Sequence, residues 1–343
     1  MNVCPFCGAE VAAPTRSTTE PQLRVCKDCL NPFTVHWEGA TPKCAVLPGS
    51  VDIRAVAPAG SIGGEILAQL RKAADNLPVL PEMAQRVMEL VKRPDSSMRE
   101  LAALIGEDAV MALKVLKVAN SALYGGLSEI KDLNSACSRL GAKTVASVVQ
   151  AVANGNLYIT GHKKSREMMQ TLWRHSVATA CCADEIAKAI AEPRSDEYFF
   201  AGLIHDVGKV CLLDILSDAY SGVLGKLRDA PELLNEVLEN YHTLAGLVVV
   251  SQWGLANEFA VTTYCHTDPS TAPFEDCSSM THAIALASRI AHISGFGFGE
   301  DSGSSLVSHP STAFLGLNDV RLATLRVDLM ERLDNVLGVL ESA

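Results

Sequence analysis

From residue 61 onward the apolar residues of this chain recur at intervals of three and four, the spacing that gathers them on one face of an α-helix. Met83, Val87, Leu90 and Val91 share such a face. Pro81 precedes them at a position where a helix has no use for the missing N–H, and Pro94 stops the run. Ser97-Met98-Arg99-Glu100 has the form of a capping box, in which hydroxyl and carboxylate satisfy reciprocal backbone donors at a helix start. The periodicity predicts further helices near 108–119, 134–153, 166–191, 197–212, 231–253, 256–266, 279–294 and 318–340. Sustained strands are scarce, with Val51-Asp52-Ile53 able to pair locally as a short one. The fold expected is mostly α: a multi-helical bundle over 61–297, then 298–343 as an exposed Gly- and Ser-rich loop, begun near 295, and a C-terminal helix packing on the bundle.

Residues 1–45 lack this rhythm and are rich in Pro, Thr and Cys. Cys4-Pro5-Phe6-Cys7-Gly8 and Cys26-Lys27-Asp28-Cys29 place two thiol pairs on short turns eighteen residues apart. Four thiolates so spaced suit tetrahedral zinc, and a segment with so few hydrophobes needs the ion in order to fold. A thioredoxin-like redox motif would show one isolated pair before a βαβ unit. We therefore expect a small zinc-ribbon domain at 1–45 with Cys4, Cys7, Cys26 and Cys29 as ligands of a structural zinc, Cys44 standing too far from either pair, and a Pro-, Gly- and Ser-containing linker at 46–60. Four basic residues against four acids in 1–45 make no electrostatic funnel for phosphate, so protein contact or a purely structural role is expected of the ribbon.

At 343 residues and 48% hydrophobic content, the chain has room for two to three domains with a sizeable core. No run approaches the ~18 apolar residues of a spanning helix, and Met1-Asn2-Val3-Cys4 does not open a signal peptide. Seven of the eleven cysteines scatter outside the two pairs, Cys181, Cys182 and Cys211 among them in apolar helical segments. This usage fits a reducing, cytoplasmic setting without membrane association. The formal charge of −10 argues against a nucleic-acid coat. Residues 111–166 depart from it with eight basic residues and two acids, 8 − 2 = +6, and an anionic partner would be expected there, on residues such as Lys163 and Lys164.

The densest candidate chemistry is Ala201-Gly202-Leu203-Ile204-His205-Asp206-Val207-Gly208-Lys209. A His followed by Asp inside an apolar helix is costly to bury unless a metal or a hydrogen-bond network holds both. The stretch fails as a phosphate loop, with one residue too many between its glycines and Val210 where Ser or Thr should follow. His175, His242 and His266 fall on other predicted helices, and helical bundles build metal sites from residues on several facing helices.

With Leu77-Pro78-Val79-Leu80-Pro81, Val118-Ala119-Asn120-Ser121-Ala122-Leu123-Tyr124-Gly125, Leu140-Gly141, His175, Gly202 through Lys209, and His242 with Gly246 and Trp253, residues 62–297 resemble the HD superfamily, and more closely its HDOD branch of bacterial signalling output domains. The resemblance implies a compact bundle of many short helices. HD hydrolases bind metal through a first His, the His-Asp pair and a later Asp; His175, His205 and Asp206 match the first three, while Ser288 stands at the fourth. His292 follows one turn along the same face. The paired histidines of two-metal relatives become His266-Thr267, and the Gly-Tyr-Pro signature of cyclic-di-nucleotide phosphodiesterases is absent. The resemblance therefore implies a non-enzymatic signal-transduction module that binds a signalling protein or small ligand. A vestigial centre of His175, His205, Asp206, His242 and His266 would hold a divalent metal weakly. Its rival is a metal-dependent phosphohydrolase of nucleotides or phosphodiesters, with His205 and Asp206 catalytic. Asn120 and Ser121 read as a helix-ending turn held by their side chains.

Overall fold

The computed structural model describes residues 3–11, 21–38, 41–47, 50, 52–73, 77–121, 124, 129–160, 163–218, 227, 230–297 and 305–341. Pro48, Gly49 and Val51 of the expected linker, Ala122, Leu123 and Gly125 of the central motif, residues 298–304 of the expected loop, and the Lys163 and Lys164 side chains lie outside the described residues. The chain divides into two compact units.

The first unit holds residues 1–78 and 205–285. Its N-terminal part is an antiparallel sheet in the order β1 (Gln22–Val25), β2 (Pro32–Glu38), β3 (Thr41–Val46), with Leu23 opposite Thr34 and Phe33 opposite Val46. After it come α1 (Ile53–Val56) and α2 (Ile62–Ala73). The local strand expected around Ile53 is instead this helical turn, because the Asp52 carboxylate caps it by accepting from Arg54 N. The Asn31 amide ties the turn to the ribbon, donating to Asp52 Oδ1 at 2.9 Å and accepting from Ile53 N at 2.7 Å. The remaining helices are α10 (Val207–Asp218), α11 (Pro231–Gln252), α12 (Asn257–Cys265) and the start of α13 (Glu275–Ala291). β1 packs on α11 and α12, where Asn257 accepts from Leu23 N at 2.7 Å and donates to Pro21 O at 3.2 Å. Trp253 donates to Pro78 O at 2.7 Å, which gives two of the recognised motif residues a shared structural task.

The second unit holds residues 79–204 and 286–343. It comprises α3 (Glu82–Lys92), α4 (Met98–Ile105), α5 (Ala109–Ala119), α6 (Leu133–Leu140), α7 (Ala142–Gly155), α8 (Lys163–Ala189), α9 (Ser195–Ile204), the end of α13, α14 (Pro310–Phe314) and α15 (Asp319–Glu341). The capping box of Ser97 and Glu100 is present in full. One helix expected over 134–153 is two, because Gly141 takes φ 77°, a left-handed conformation that ends α6 and starts α7. Beyond α13 the backbone widens into a turn over His292–Phe296, with Gly295 at φ 91°. Val87, Leu101, Ile105, Val115 and Val149 anchor one core, while α15 lays Leu322, Leu325, Leu329 and Leu333 into the unit and packs on α8 and α5. Among the described residues no helix is long and apolar enough to cross a membrane.

Arg332 of α15 enters the protein interior and pairs with Asp184 and, at 2.8 Å, with Glu185 of α8. Burial by itself would raise the Asp184 carboxyl, but Arg332 and Lys188 outweigh it and hold the group below its ordinary value. Removing one partner of such a pair leaves a charge in a poorly solvating place. Arg332→Ala should therefore lower the unfolding free energy by about 3 kcal/mol in urea titrations. Lys92→Ala, at the more exposed Lys92–Glu197 bridge, should cost under about 1 kcal/mol.

Candidate metal centres

The two cysteine turns of the ribbon are built alike. In the first, Gly8 N donates to Cys4 O and Cys4 N to Ala9 O; in the second, Leu30 N donates to Cys26 O and Cys26 N to Asn31 O. The residue after each pair is left-handed, Gly8 at φ 76° and Leu30 at φ 59°. For leucine that conformation costs ~1–2 kcal/mol, offset by a side chain only 3% exposed. The turns bring all four sulfurs within 4.8 Å of one another, with Cys4–Cys29 and Cys7–Cys26 both at 3.7 Å. A tetrahedron with Zn–S bonds of ~2.3 Å has edges of ~3.8 Å, so the cluster has the size of a zinc ribbon. Burial pushes the Cys4 and Cys26 thiols up, while the Ala9 backbone N–H draws Cys7 down; a bound cation would favour the thiolate at all four. Cys44 packs beside the cluster without joining the four.

The helix expected through 197–212 is interrupted at the residues of greatest interest: α9 ends at Ile204, His205 and Asp206 form a turn, and α10 starts at Val207. The pair is thus at a helix junction, not inside a helix. Immediately after it, Gly208 lies so close to α11 that a Cβ there would overlap the His242 carbonyl. That approach sets the Asp206 carboxylate against α11 and the end of α12. His242 donates its Nδ1–H to Leu238 O and Glu239 O, both at 2.9 Å, and His266 donates its Nδ1–H to Thr263 O at 2.9 Å. Since a carbonyl only accepts, each neutral imidazole carries its lone pair on Nε2.

Those two Nε2 atoms are 3.4 Å apart, and each is 3.5 Å from Asp206 Oδ1. Three electron-pair donors therefore form a triangle whose edges match the ~3.4 Å spacing of ligands held tetrahedrally at ~2.05 Å, the donor set and size of a zinc-type site. Burial drives the His242 imidazole down to about 4, with the Lys209 charge acting in the same direction. Asp206 is 2% exposed; burial would raise its carboxyl, and Lys209 first, then His205, reverse this and hold it well below the carboxylate range. The Lys209 ammonium sits 3.1 Å from Asp206 Oδ2 and 2.9 Å from Glu239. His205, fully buried, has Nε2 at 3.6 Å from Asp206 Oδ2 and its ring edge-on to His266.

His175 belongs to the second unit. There it donates Nδ1–H to Phe296 O at 2.8 Å, and the Ser288 hydroxyl lies 3.2 Å from its Nε2, the lone pair a metal would use. His292 joins no metal-capable group among the described residues. Asn120 clamps its loop, donating to Ile130 O and accepting from Ile130 N at 2.8 Å each, and Ser121 donates to Val118 O, so both side chains hold a turn. The basic excess of 111–166 is partly spent internally: Lys143 bonds Asp196 and Pro193 O, and Arg139 donates to Ala119 O. Sequence reasoning missed Glu239 and Asn257 and gave Lys209 no role. Only Lys209 had a local signal, its i+3 spacing from Asp206 beyond the junction.

The HDOD domain profile matches residues 77–269. A Geobacter sulfurreducens structure described as an HDOD domain protein with unknown function is 24% identical, covering 81% of this chain and 98% of its own, with a TM-score of 0.66. A Shewanella amazonensis SB2B structure, provisionally named a metal-dependent phosphohydrolase, is 24% identical over 80% of this chain and 98% of its own at TM-score 0.58. A Marinobacter aquaeolei VT8 structure, provisionally named a signal transduction protein, is 19% identical over 87% and 69% at TM-score 0.60. These likenesses establish the fold. An uncharacterized protein of Treponema pallidum (strain Nichols) is 24% identical over 233 residues, 65% of this chain and only 44% of the relative's own length.

The depressed His242 value has a measurable sign. Between about 4 and the ordinary 6.5 the unfolded chain takes up a proton that the folded chain refuses, so stability is fully present above 6.5 and is lost as pH falls toward 4. Urea titrations in chelator should show wild type losing up to ~1.4 kcal/mol per pH unit more than His242→Gln across that window. Parallel slopes would contradict the assignment.

Proposed function

The chain belongs to the HDOD family, and we propose that it is a non-enzymatic signal-transduction output module that works by binding a protein or small ligand. In this reading the ribbon carries a structural zinc on Cys4, Cys7, Cys26 and Cys29, and Asp206, His242 and His266 hold a second divalent ion. The observation that carries it is the burial of that second centre, whose ligand residues are 2%, 1% and 6% exposed. A catalytic ion keeps an open position for water and substrate, whereas a structural ion is enclosed. Lys209 already neutralises the Asp206 carboxylate, so the second ion is held more weakly than the ribbon's. The hydroxyl of Ser288, 3.2 Å from His175 Nε2, supports the same reading, because it is uncharged at the position where the resemblance to HD hydrolases calls for a carboxylate ligand. The Marinobacter aquaeolei protein's provisional name agrees with a signalling role.

The second reading is a metal-dependent phosphohydrolase. It is favoured by the converging lone pairs of His242 and His266 at Asp206 and agrees with the provisional name of the Shewanella amazonensis protein. If bound there, the ion would supply Lewis acidity toward a phosphate oxygen.

Metal analysis of full-length protein purified without added metal, followed by zinc titration, separates the two. The expectation is one tightly held zinc removed by Cys4→Ser, and a weaker second equivalent removed by His266→Ala. No phosphate or nitrophenol should be released from p-nitrophenyl phosphate or bis(p-nitrophenyl) phosphate with zinc, manganese or magnesium. Hydrolysis abolished by Asp206→Asn would establish the second reading instead.

A further inference from the structure

The last helix has two apolar faces, and the fold uses one. Leu322, Leu325, Leu329 and Leu333 are buried in the second unit. Around the helix from them, Val320 is 70%, Val327 67% and Met330 39% exposed, and Ala323 is exposed between them. At ~100° per residue these four fall within an arc of ~80°, whose centre is ~135° from that of the buried leucines. Single exposed hydrophobics are ordinary, but three of the large exposed ones here share the 3-and-4 spacing of a coiled-coil seam. Val320 and Val327 take the first core position of the heptad, Ala323 and Met330 the second.

We propose that this stripe is the seam of a parallel, two-fold pairing of α15 with α15 of a second copy of the chain, an interaction that goes beyond the signalling reading above. The choice of occupant rests on charge. In a parallel pair the residue before the first core position meets, across the seam, the residue five places further on in the partner. Here that sets exposed Arg326 of each copy against exposed Glu331 of the other, twice by symmetry, while Asp319 meets Thr324. Opposite charges face each other in both copies, and no like charges do. The seam is short, below the ~800 Å² per partner typical of stable complexes, so the pairing is weak and reversible.

Sedimentation equilibrium of the full chain tests it. The expected result is a concentration-dependent rise from one chain mass toward two, weakened about tenfold or more by Val327→Glu, a substitution at a solvent-facing site that leaves the thermal unfolding midpoint in place. Arg326→Glu and Glu331→Arg should each weaken association about fivefold, and the double reversal should restore it to within about twofold. A chain that stays single up to about 0.5 mM, a wide margin over the affinity of a small interface, overturns the proposal. So does a dimer indifferent to Val327→Glu, and so does a double reversal no better than either single one.

Discussion

A carboxylate almost wholly removed from water dictates the arrangement around it. Asp206 keeps its charge at 2% exposure with Lys209, His205, His242 and His266 around it, Lys209 contributing most. Removing Lys209, the nearest cation, would take away the principal counter-charge, a loss of about 3–5 kcal/mol for a buried pair. The close approach at Gly208, the carbonyl bonds that orient both imidazoles and the Lys209–Glu239 pair all serve that one group. In consequence two imidazole lone pairs and a carboxylate oxygen converge with the spacing of metal ligands.

The ribbon meets the same physics with softer atoms. Burial raises the Cys4 and Cys26 thiols, and a bound cation would hold them as thiolates. Its position in the first unit is secured by two asparagines: Asn31 fastens residues 52 and 53, and Asn257 completes the hydrogen bonding of β1 at the start of α12. The helix so fastened ends at His266, which places the ribbon cysteines and the Asp206, His242 and His266 group in the same compact unit.

The second unit shows how little is needed to change what a histidine does. With Nδ1–H given to the Phe296 carbonyl and Nε2 facing the Ser288 hydroxyl, His175 joins α8 to α13 and the turn beyond it. A carboxylate at position 288 would have offered a charged ligand in the same place; a hydroxyl is uncharged.

Much of this was legible in one dimension. Periodicity, Pro81 and the Ser97–Glu100 box located helices because their causes are local, and two Cys-x-x-Cys turns announced a four-sulfur cluster because a metal knuckle is built from adjacent residues. His205 and Asp206 were marked as costly, yet placed inside a helix, since an apolar run does not reveal that the chain turns there. Tertiary structure alone decided that break, the one at Gly141, and the partners Glu239 and Asn257, which are contacts set by elements packing at close range between residues distant in the chain. The sequence by itself determined which side chains could hold an ion, because ligand chemistry belongs to the residue. Whether they converge depends on backbones that meet only after folding.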